Sequence, residues 1–241
     1  MKKLDSLLRG RKCLVFVDFE GTQFSHEMIS IGAVLCTLDR HNQIKTRKEP
    51  FKILVKAKNK VGNYVVDLTK ITDEMLKKEG KSFNDALLIF KKYLGTKWKK
   101  CLFITYGNHD MRIFNQSISY NFTYPKDFCS QFQKNYADFA AFIAEFVRDP
   151  NGNPLSLIHN CELFDAEIVE PAHDPRSDAI NLANLYEAFI KHPDIIKEEY
   201  KKALLKVSHF PQPVKDSVMR LVDGQDVTAA DFDKYVKEYL K

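Results

Sequence analysis

Residues 13–22, "CLVFVDFEGT", decide the predicted fold, because a short apolar run ends there in two carboxylates. The apolar part, 13–17, is rich in β-prone residues and does not alternate with polar ones, which is typical of a strand buried on both faces. Asp18 and Glu20 follow at its carboxyl end, and because they are two residues apart they point to the same side of the strand. Neither has an obvious cationic neighbour in the sequence, so what neutralises them becomes the central question.

Three further segments of the chain predict strands. Residues 27–38, "EMISIGAVLCTL", are β-prone, and residues 51–57, "FKILVKA", alternate with period two as in a half-exposed strand. With the first strand they predict an antiparallel meander. Residues 101–106, "CLFITY", predict another short buried strand, which Gly107 ends just before Asp110.

Helical patterns follow these strands. Ser82 and Asp85 form a predicted capping box at the start of a helix over 82–94, and Thr228 and Asp231 form a second near the C-terminus. Further helical patterns cover 110–120, 155–163, 178–191, 194–207, 214–222 and 228–240. This order of elements predicts an α/β fold. We expect residues 1–191 to form one domain, with 192–241 as a C-terminal helical extension packed on it.

Composition excludes several classes of protein. Of the 241 residues, 44% are hydrophobic and 29% charged, which excludes disordered and collagen-like chains. The net charge of +5 is compatible with a polyanionic partner but is common in proteins that bind none. The five cysteines are odd in number and include no C-x-x-C pair, which argues against a disulfide framework and against a zinc site.

The N-terminus and the hydropathy favour a cytoplasmic protein without a membrane segment. The first apolar run breaks at Asp18 and no small-residue cleavage site follows, so we do not expect a signal peptide. No window reaches the roughly 18 apolar residues that a membrane span requires.

Four carboxylates are predicted to meet at one edge of the sheet. Asp18 and Glu20 end a strand, Asp110 starts a helix after the next buried strand, and Asp178 lies in the first turn of another helix. The carboxyl ends of strands and the starts of neighbouring helices form the usual crevice for a site in α/β proteins. Crowded carboxylates favour a hard divalent cation, and two such cations about 3.5–4 Å apart can support phosphodiester cleavage.

Each acidic residue also has a simpler explanation when it is considered alone. A D-x-E pair is common at a solvated strand end, Asp110 could cap its helix, and Asp178 could interact with the helix dipole. The joint spacing of all four is what favours a metal site.

Three motifs, in their order and approximate separation, resemble the DEDDh 3′-to-5′ exonucleases, which have a ribonuclease H-like fold with a mixed sheet flanked by helices. The matching stretches are "DFEGT" with Asp18, Glu20 and Thr22, "YGNHD" with Tyr106, Gly107 and Asp110, and "AHDPRSDA" with His173 and Asp178. The resemblance covers about residues 12–191 and is nearest to the Eri-like and sporulation-inhibitor-like branch, which acts mostly on RNA. Residues from 192 onward have no counterpart in it.

The resemblance implies a two-metal exonuclease. Asp18, Glu20, Asp110 and Asp178 would hold two divalent ions, Mg²⁺ or Mn²⁺, and His173 would be the general base. The substrate would be single-stranded RNA or DNA with a free 3′ end, RNA slightly favoured, and the products nucleoside 5′-monophosphates. A homodimer is compatible with the resemblance, and other protein partners are not indicated.

The resemblance also implies substrate-binding groups, together with one departure from the family pattern. The expected contacts come from the backbone at Phe19, Gly21 and Thr22, from Leu68 or Thr69 as an apolar wedge against the terminal base, and from Tyr106. The departure is Pro175, which stands where the family usually has a small residue. We therefore expect the loop that holds His173 to be set differently.

Two alternatives remain at this stage. A metal-dependent endonuclease or phosphatase could use similar carboxylates, although the spacing of His173 and Asp178 disfavours it. A nucleic-acid-binding module without catalysis would share the fold, although all four carboxylates and the histidine are present here.

Overall fold

The computed structural model describes residues 2–206 and 210–241, which form one mixed sheet and the helices that cover it. The strands are β1 (Cys13–Gly21), β2 (Met28–Leu38), β3 (Ile44–Arg47), β4 (Phe51–Leu54), β5 (Leu102–Thr105) and β6 (Tyr136–Asp138). The helices before the last strand are α1 (Lys2–Leu8), α2 (Asn63–Thr69), α3 (Asp73–Glu79), α4 (Phe83–Leu94), α5 (His109–Tyr120) and α6 (Lys126–Lys134). Those after it are α7 (Phe139–Ile143), α8 (Leu157–Leu163), α9 (Pro175–Lys191), α10 (Pro193–Lys206), α11 (Gln212–Val222) and α12 (Ala229–Tyr239).

The sheet has the order β3-β2-β1-β5-β6, and β4 also pairs with β2. The pairs that join β1, β2, β3 and β4 are antiparallel, which confirms the predicted meander. The pairs β1–β5 and β5–β6 are parallel, so the sheet is mixed. A mixed sheet with helices packed against it confirms the predicted ribonuclease H-like architecture.

Alternate residues of β1 enter two different cores, which confirms that this strand is buried on both faces. Leu14 and Phe16 belong to the core that includes α9, whereas Val15 and Val17 belong to the core that includes α4, α5 and α6. Side chains alternate between the faces of a strand. Asp18 therefore continues the α9 side at the carboxyl end of β1.

The N-terminus of α9 approaches the sheet very closely at one glycine. A Cβ atom placed on Gly32 would lie 1.8 Å from the carbonyl oxygen of Pro175. Gly32 is also the register partner of Asp18 across the β1–β2 pair. The absence of a side chain at Gly32 is therefore what lets α9 begin beside the carboxylates of β1.

Several elements differ from those predicted. The helix expected from 178 begins at Pro175, because the Asp174 side chain caps its first turn and proline is favoured there. The short helix α2 was not predicted, since Val65 and Val66 are β-branched and favour strands by propensity. The last residue of the helix predicted over 194–207, Val207, lies outside the described residues.

The C-terminal helices begin on the first core and continue away from it. Ile196 of α10 is buried in the core that includes α9, and the rings of Tyr200 and Phe146 lie 6.4 Å apart. The Lys201 Nζ atom of α10 lies 2.7 Å from Asp223, just after α11. Within residues 2–206 and 210–241, no helix combines the length and the apolar character needed to cross a membrane. The five cysteines are all buried and free.

Candidate active site

The predicted catalytic side chains converge at the carboxyl end of β1. Ligand atoms of Glu20, His173 and Asp178 all lie within 4.8 Å of one another. Asp18 interacts electrostatically with Glu20, Asp110 and Asp178. All five residues expected to form the site are therefore brought together, from β1, from α5 and from the start of α9.

Asp110 is tied directly to the first strand. Its Oδ1 atom accepts a hydrogen bond of 2.7 Å from the backbone N–H of Phe19, and its side chain is buried. The Phe19 ring lies 5.9 Å from Phe114 and 5.6 Å from Phe132, measured between ring centroids. The ring of Phe19 thus anchors β1 in the core, while its N–H fixes the carboxylate of the second motif.

His173 lies on an exposed loop immediately before α9. Its φ of 61° is in the left-handed region, which is uncommon for residues other than glycine. Its backbone N–H donates a 3.1 Å hydrogen bond to Asp178 Oδ2. The next residue, Asp174, accepts hydrogen bonds from the N–H groups of Arg176 and Ser177, which starts the helix.

The crowding of buried carboxylates raises their pKa values. Burial, followed by repulsion from Asp110, Glu20 and Asp178, holds the pKa of Asp18 well above its usual range. Burial and the charge of Asp178 raise the pKa of Glu20 to about 8. Burial also raises the pKa of Asp110 to about 7, against the opposing effect of the Phe19 hydrogen bond. Burial raises the pKa of Asp178, although the charge of His173 opposes it.

These residues fit divalent cations. Within the part of the chain that the structure describes, the buried Oδ2 atom of Asp18 has no hydrogen-bond partner. A buried carboxylate oxygen without a partner, next to three further carboxylates, is costly unless a cation neutralises the group. Asp18, Glu20, Asp110 and Asp178 supply oxygen ligands, which hard divalent cations prefer.

A groove of about 600 Å³ leads to His173. Its lining includes Leu68, Thr69, Met75, Ala172 and His173. The two residues predicted to form an apolar wedge therefore line the same groove as the predicted base.

The remaining predicted substrate contacts are engaged inside the protein. The Thr22 N–H donates to the Glu27 carbonyl at 2.8 Å, and its hydroxyl accepts from the Glu27 N–H at 2.9 Å. Gly21 is buried beside Ile113. The Tyr106 hydroxyl donates to the Leu155 carbonyl at 2.7 Å. A substrate role for these three residues stays a prediction.

Four residues near the site were missed by sequence reasoning. Asp138, at the end of β6, accepts hydrogen bonds of 3.0 Å from the N–H groups of Gly107 and Ala141 and so holds the second motif. Ser30 is buried, pairs in register with Glu20, and its hydroxyl has no partner among the described residues. Lys52 forms an ion pair with Asp174. Only Gly32 carried a usable signal, because an isolated glycine inside a strand pattern often marks a close backbone approach.

Residues 15–186 match the family model RNase_T, described as Exonuclease. No curated protein matches the sequence.

Solved structures share the fold at low identity. The nuclease domain of 3′hExo, a DEDDh family member bound to rAMP, has a TM-score of 0.59 and 20% identity, covering 76% of this chain and 93% of that chain. Cell-death related nuclease 4 (CRN-4) has a TM-score of 0.58 and 23% identity, and the match covers 75% of this chain and 64% of that chain. E. coli Exonuclease I in complex with a dA16 oligonucleotide has a TM-score of 0.52 and 17% identity, and the match covers 87% of this chain and 46% of that chain. This chain spans under two thirds of the length of the last two.

Proposed function

The chain belongs to the RNase_T exonuclease family, and on this premise we propose that it is a metal-dependent 3′-to-5′ exonuclease acting on single-stranded nucleic acid, with RNA slightly favoured over DNA. The observation that carries the proposal is the convergence of Glu20, His173 and Asp178 within 4.8 Å at the end of an open groove. The relatives solved with rAMP and with dA16 support a nucleic-acid substrate. The preference for RNA rests on the motif resemblance to the Eri-like branch.

The four carboxylates would hold the metal. Asp18, Glu20, Asp110 and Asp178 offer oxygen ligands from three separate elements. Two divalent cations, Mg²⁺ or Mn²⁺, would supply Lewis-acid stabilisation of the charge that develops on the attacking and leaving oxygens of a phosphodiester. The hydrogen bond from Phe19 fixes Asp110 in place before any ligand arrives.

His173 is the proposed general base. Its imidazole is exposed beside Glu20 and Asp178, so it can accept a proton from the water that attacks the terminal phosphodiester. The backbone hydrogen bond to Asp178 orients the loop that carries it. The products would be nucleoside 5′-monophosphates.

The groove would hold the terminal nucleotide. Leu68 is partly exposed in the groove lining and can pack against an unstacked base, and Thr69 lines the same groove. Contact of an apolar or aromatic side chain with a base does not select sequence, which suits an exonuclease.

The test is a degradation assay with matched 5′-labelled single-stranded RNA and DNA in Mg²⁺, Mn²⁺ or EDTA. We expect a metal-dependent ladder that shortens from the 3′ end. Asp18→Ala should abolish it, and His173→Ala should lower kcat by about 10²–10⁴-fold, the range for loss of a general base.

The matched controls are Asp233→Asn on α12 and His41→Ala in the β2–β3 turn, both of which should keep wild-type activity. Internal cleavage of a circular substrate would instead indicate an endonuclease. Retention of uncut substrate under every metal would indicate a binding module, and the proposal would be wrong.

A further inference from the structure

We propose that Lys52 is a positioning residue for His173 and that it acts through an ion pair with Asp174. The inference rests on the proposed function, because it assigns a role to the loop that carries the proposed base.

Lys52 lies in the same cross-strand row as Asp18. Gly32 of β2 pairs with Asp18 of β1 on one side and with Lys52 of β4 on the other. Residues directly opposite each other in an antiparallel sheet project from the same face. Lys52 and Asp18 therefore flank the glycine on the α9 side of the sheet.

The gap above Gly32 is filled by the start of α9. The carbonyl of Pro175 occupies the place where a Cβ of Gly32 would stand. Asp174, one residue earlier, is thereby brought to Lys52, whose Nζ atom lies 2.5 Å from Asp174 Oδ2. The side chains are 34% and 24% exposed, so the pair is only partly screened by water.

The two oxygens of Asp174 have different partners. Oδ1 accepts hydrogen bonds from the N–H groups of Arg176 and Ser177 and so caps α9. Oδ2 forms the ion pair with the Nζ atom of Lys52. The cap can therefore persist when the lysine is removed. Loss of Lys52 would free the loop from β4 without removing the start of the helix.

His173 needs such support because of its backbone. A histidine with a φ of 61° is held in a sparsely populated region, which persists only when the surroundings constrain it. The constraints on the loop include the bond from its own N–H to Asp178 and the ion pair of its neighbour Asp174. The ion pair is the tether that joins the loop to the sheet edge.

The first test does not depend on catalysis. The metal-free protein, with ¹³C-labelled histidine rings, is compared by NMR as wild type, Lys52→Met and Lys52→Arg, with the His173 signal assigned from a His173→Gln variant. We expect Lys52→Met to shift or broaden the His173 signal while His41 and His159 stay unchanged, and Lys52→Arg to restore it. Asp174→Asn, which keeps the capping oxygen, should reproduce the Lys52→Met effect.

The second test separates positioning from direct contact with substrate, since Lys52 also lines the groove. Positioning predicts that Lys52→Met lowers kcat about tenfold with KM unchanged, in the range for groups that orient a catalytic side chain. The same change should have no further effect in a His173→Ala background.

Two results would overturn the inference. A rise in KM that persists in the His173→Ala background would mean that Lys52 contacts a substrate phosphate instead. An unchanged His173 signal in Lys52→Met would mean that the ion pair does not set the loop. If the wild-type protein degraded no nucleic acid, only the proposed function would be wrong. The NMR comparison would still test whether Lys52 positions His173.

Discussion

At the scale of single residues, the site is defined by charge that the protein alone does not neutralise. Asp18 and Glu20 are brought close to Asp110 and Asp178, and burial raises the pKa of each of them. Lys52, whose charge lowers the pKa of Glu20, is itself paired with Asp174. Such an arrangement costs stability in the folded protein and is compensated when a divalent cation binds.

The raised pKa of Glu20 predicts how stability depends on pH in EDTA. The pKa is about 8 in the folded protein, against 4.5 for the unperturbed side chain, so the folded state holds the proton more tightly. Its contribution to stability is therefore fully present below the unfolded pKa and is lost as pH rises through about 8. Each unit of displacement corresponds to about 1.4 kcal/mol. We expect the free energy of unfolding to fall as pH rises across this window, measured by urea titration.

Glu20→Gln carries no charge at any pH, so its stability should fall less steeply over the same window. The exposed Glu238→Gln on α12 is the control and should keep the wild-type slope. Addition of Mg²⁺ at pH 8 should raise the unfolding temperature of the wild type more than that of Glu20→Gln. Equal slopes for wild type and Glu20→Gln would contradict the electrostatic account.

Asp138 offers a second prediction at the residue scale. Its Oδ1 atom accepts a hydrogen bond from the N–H of Gly107, which lies three residues before Asp110. The same atom accepts one from the N–H of Ala141 and so caps α7. Asp138→Ala should lower stability by about 0.5–2 kcal/mol through the lost cap and lower activity by about 10–100-fold through the displaced second motif. Asp138→Asn keeps an acceptor oxygen and should retain most of the stability and most of the activity. Thermal unfolding and the oligonucleotide assay measure the two effects, and equal damage in both variants would exclude a hydrogen-bonding role.

At the scale of elements, the site depends on where α9 meets the sheet. The helix carries Asp178 in its first turn and follows His173 directly, so any displacement of its N-terminus moves both groups. Two residues of the sheet fix this position: Gly32 of β2, which contacts Pro175, and Lys52 of β4, which pairs with Asp174. The helix start is thus located by residues that take no part in the chemistry.

Gly32→Ala should therefore damage activity more than stability. The added methyl would meet the Pro175 carbonyl at 1.8 Å, so the start of α9 must move away from β1. Overpacking of this kind costs about 1–3 kcal/mol, whereas the separation of Asp178 from Glu20 should cost at least about a hundredfold in kcat.

Gly95→Ala is the matched control for this change. Gly95 has a φ of 61° and no heavy atom within 4 Å of an added Cβ, so the variant introduces backbone strain without a clash. It should lose about 1–3 kcal/mol of stability, comparable to the overpacking in Gly32→Ala, and keep its activity. Full activity in Gly32→Ala, measured beside this control, would contradict the proposed seating of α9.

At the scale of the whole molecule, two cores on opposite faces of one sheet hold the site at the edge between them. The first core includes residues of α1, α7 and α9, and α10 adds Ile196 to it. The second includes residues of α4, α5 and α6. The part of α10 that carries Ile196 and Tyr200 is therefore packed on the first core, and we propose that the extension proper begins after this helix.

Truncation tests this boundary. A chain ending at Lys206 should keep its activity and unfold within a few degrees of the wild type. A chain ending at His192 loses the burial of Ile196 and the contact of Tyr200 with Phe146. Loss of one buried isoleucine costs about 1.5–3 kcal/mol, and each kcal/mol lowers the unfolding temperature by about 2–4 °C in a chain of this size. Equal unfolding temperatures for the two truncations, measured by calorimetry, would place the boundary before α10.

The sequence by itself determined the first strand and the α/β class, because these depend on local signals: an apolar run for a strand buried on both faces and a capping residue before a helix. The four carboxylates were predicted to meet from their places at strand ends and helix starts, and His173 was added to the candidate site through the resemblance of the three motifs to a known family. Helix α2 escaped prediction, since a short segment with β-branched residues is decided by packing and not by propensity.

Only the tertiary structure decided how the site is assembled. Three contacts join residues that lie 31 to 143 positions apart in the chain. They are the contact of Gly32 with Pro175, the ion pair between Lys52 and Asp174, and the hydrogen bond from Gly107 to Asp138. No local pattern encodes such pairs, because each arises from strand register and from the angle at which a helix crosses the sheet. The sequence therefore identified the chemical groups, and the long-range packing decided their geometry.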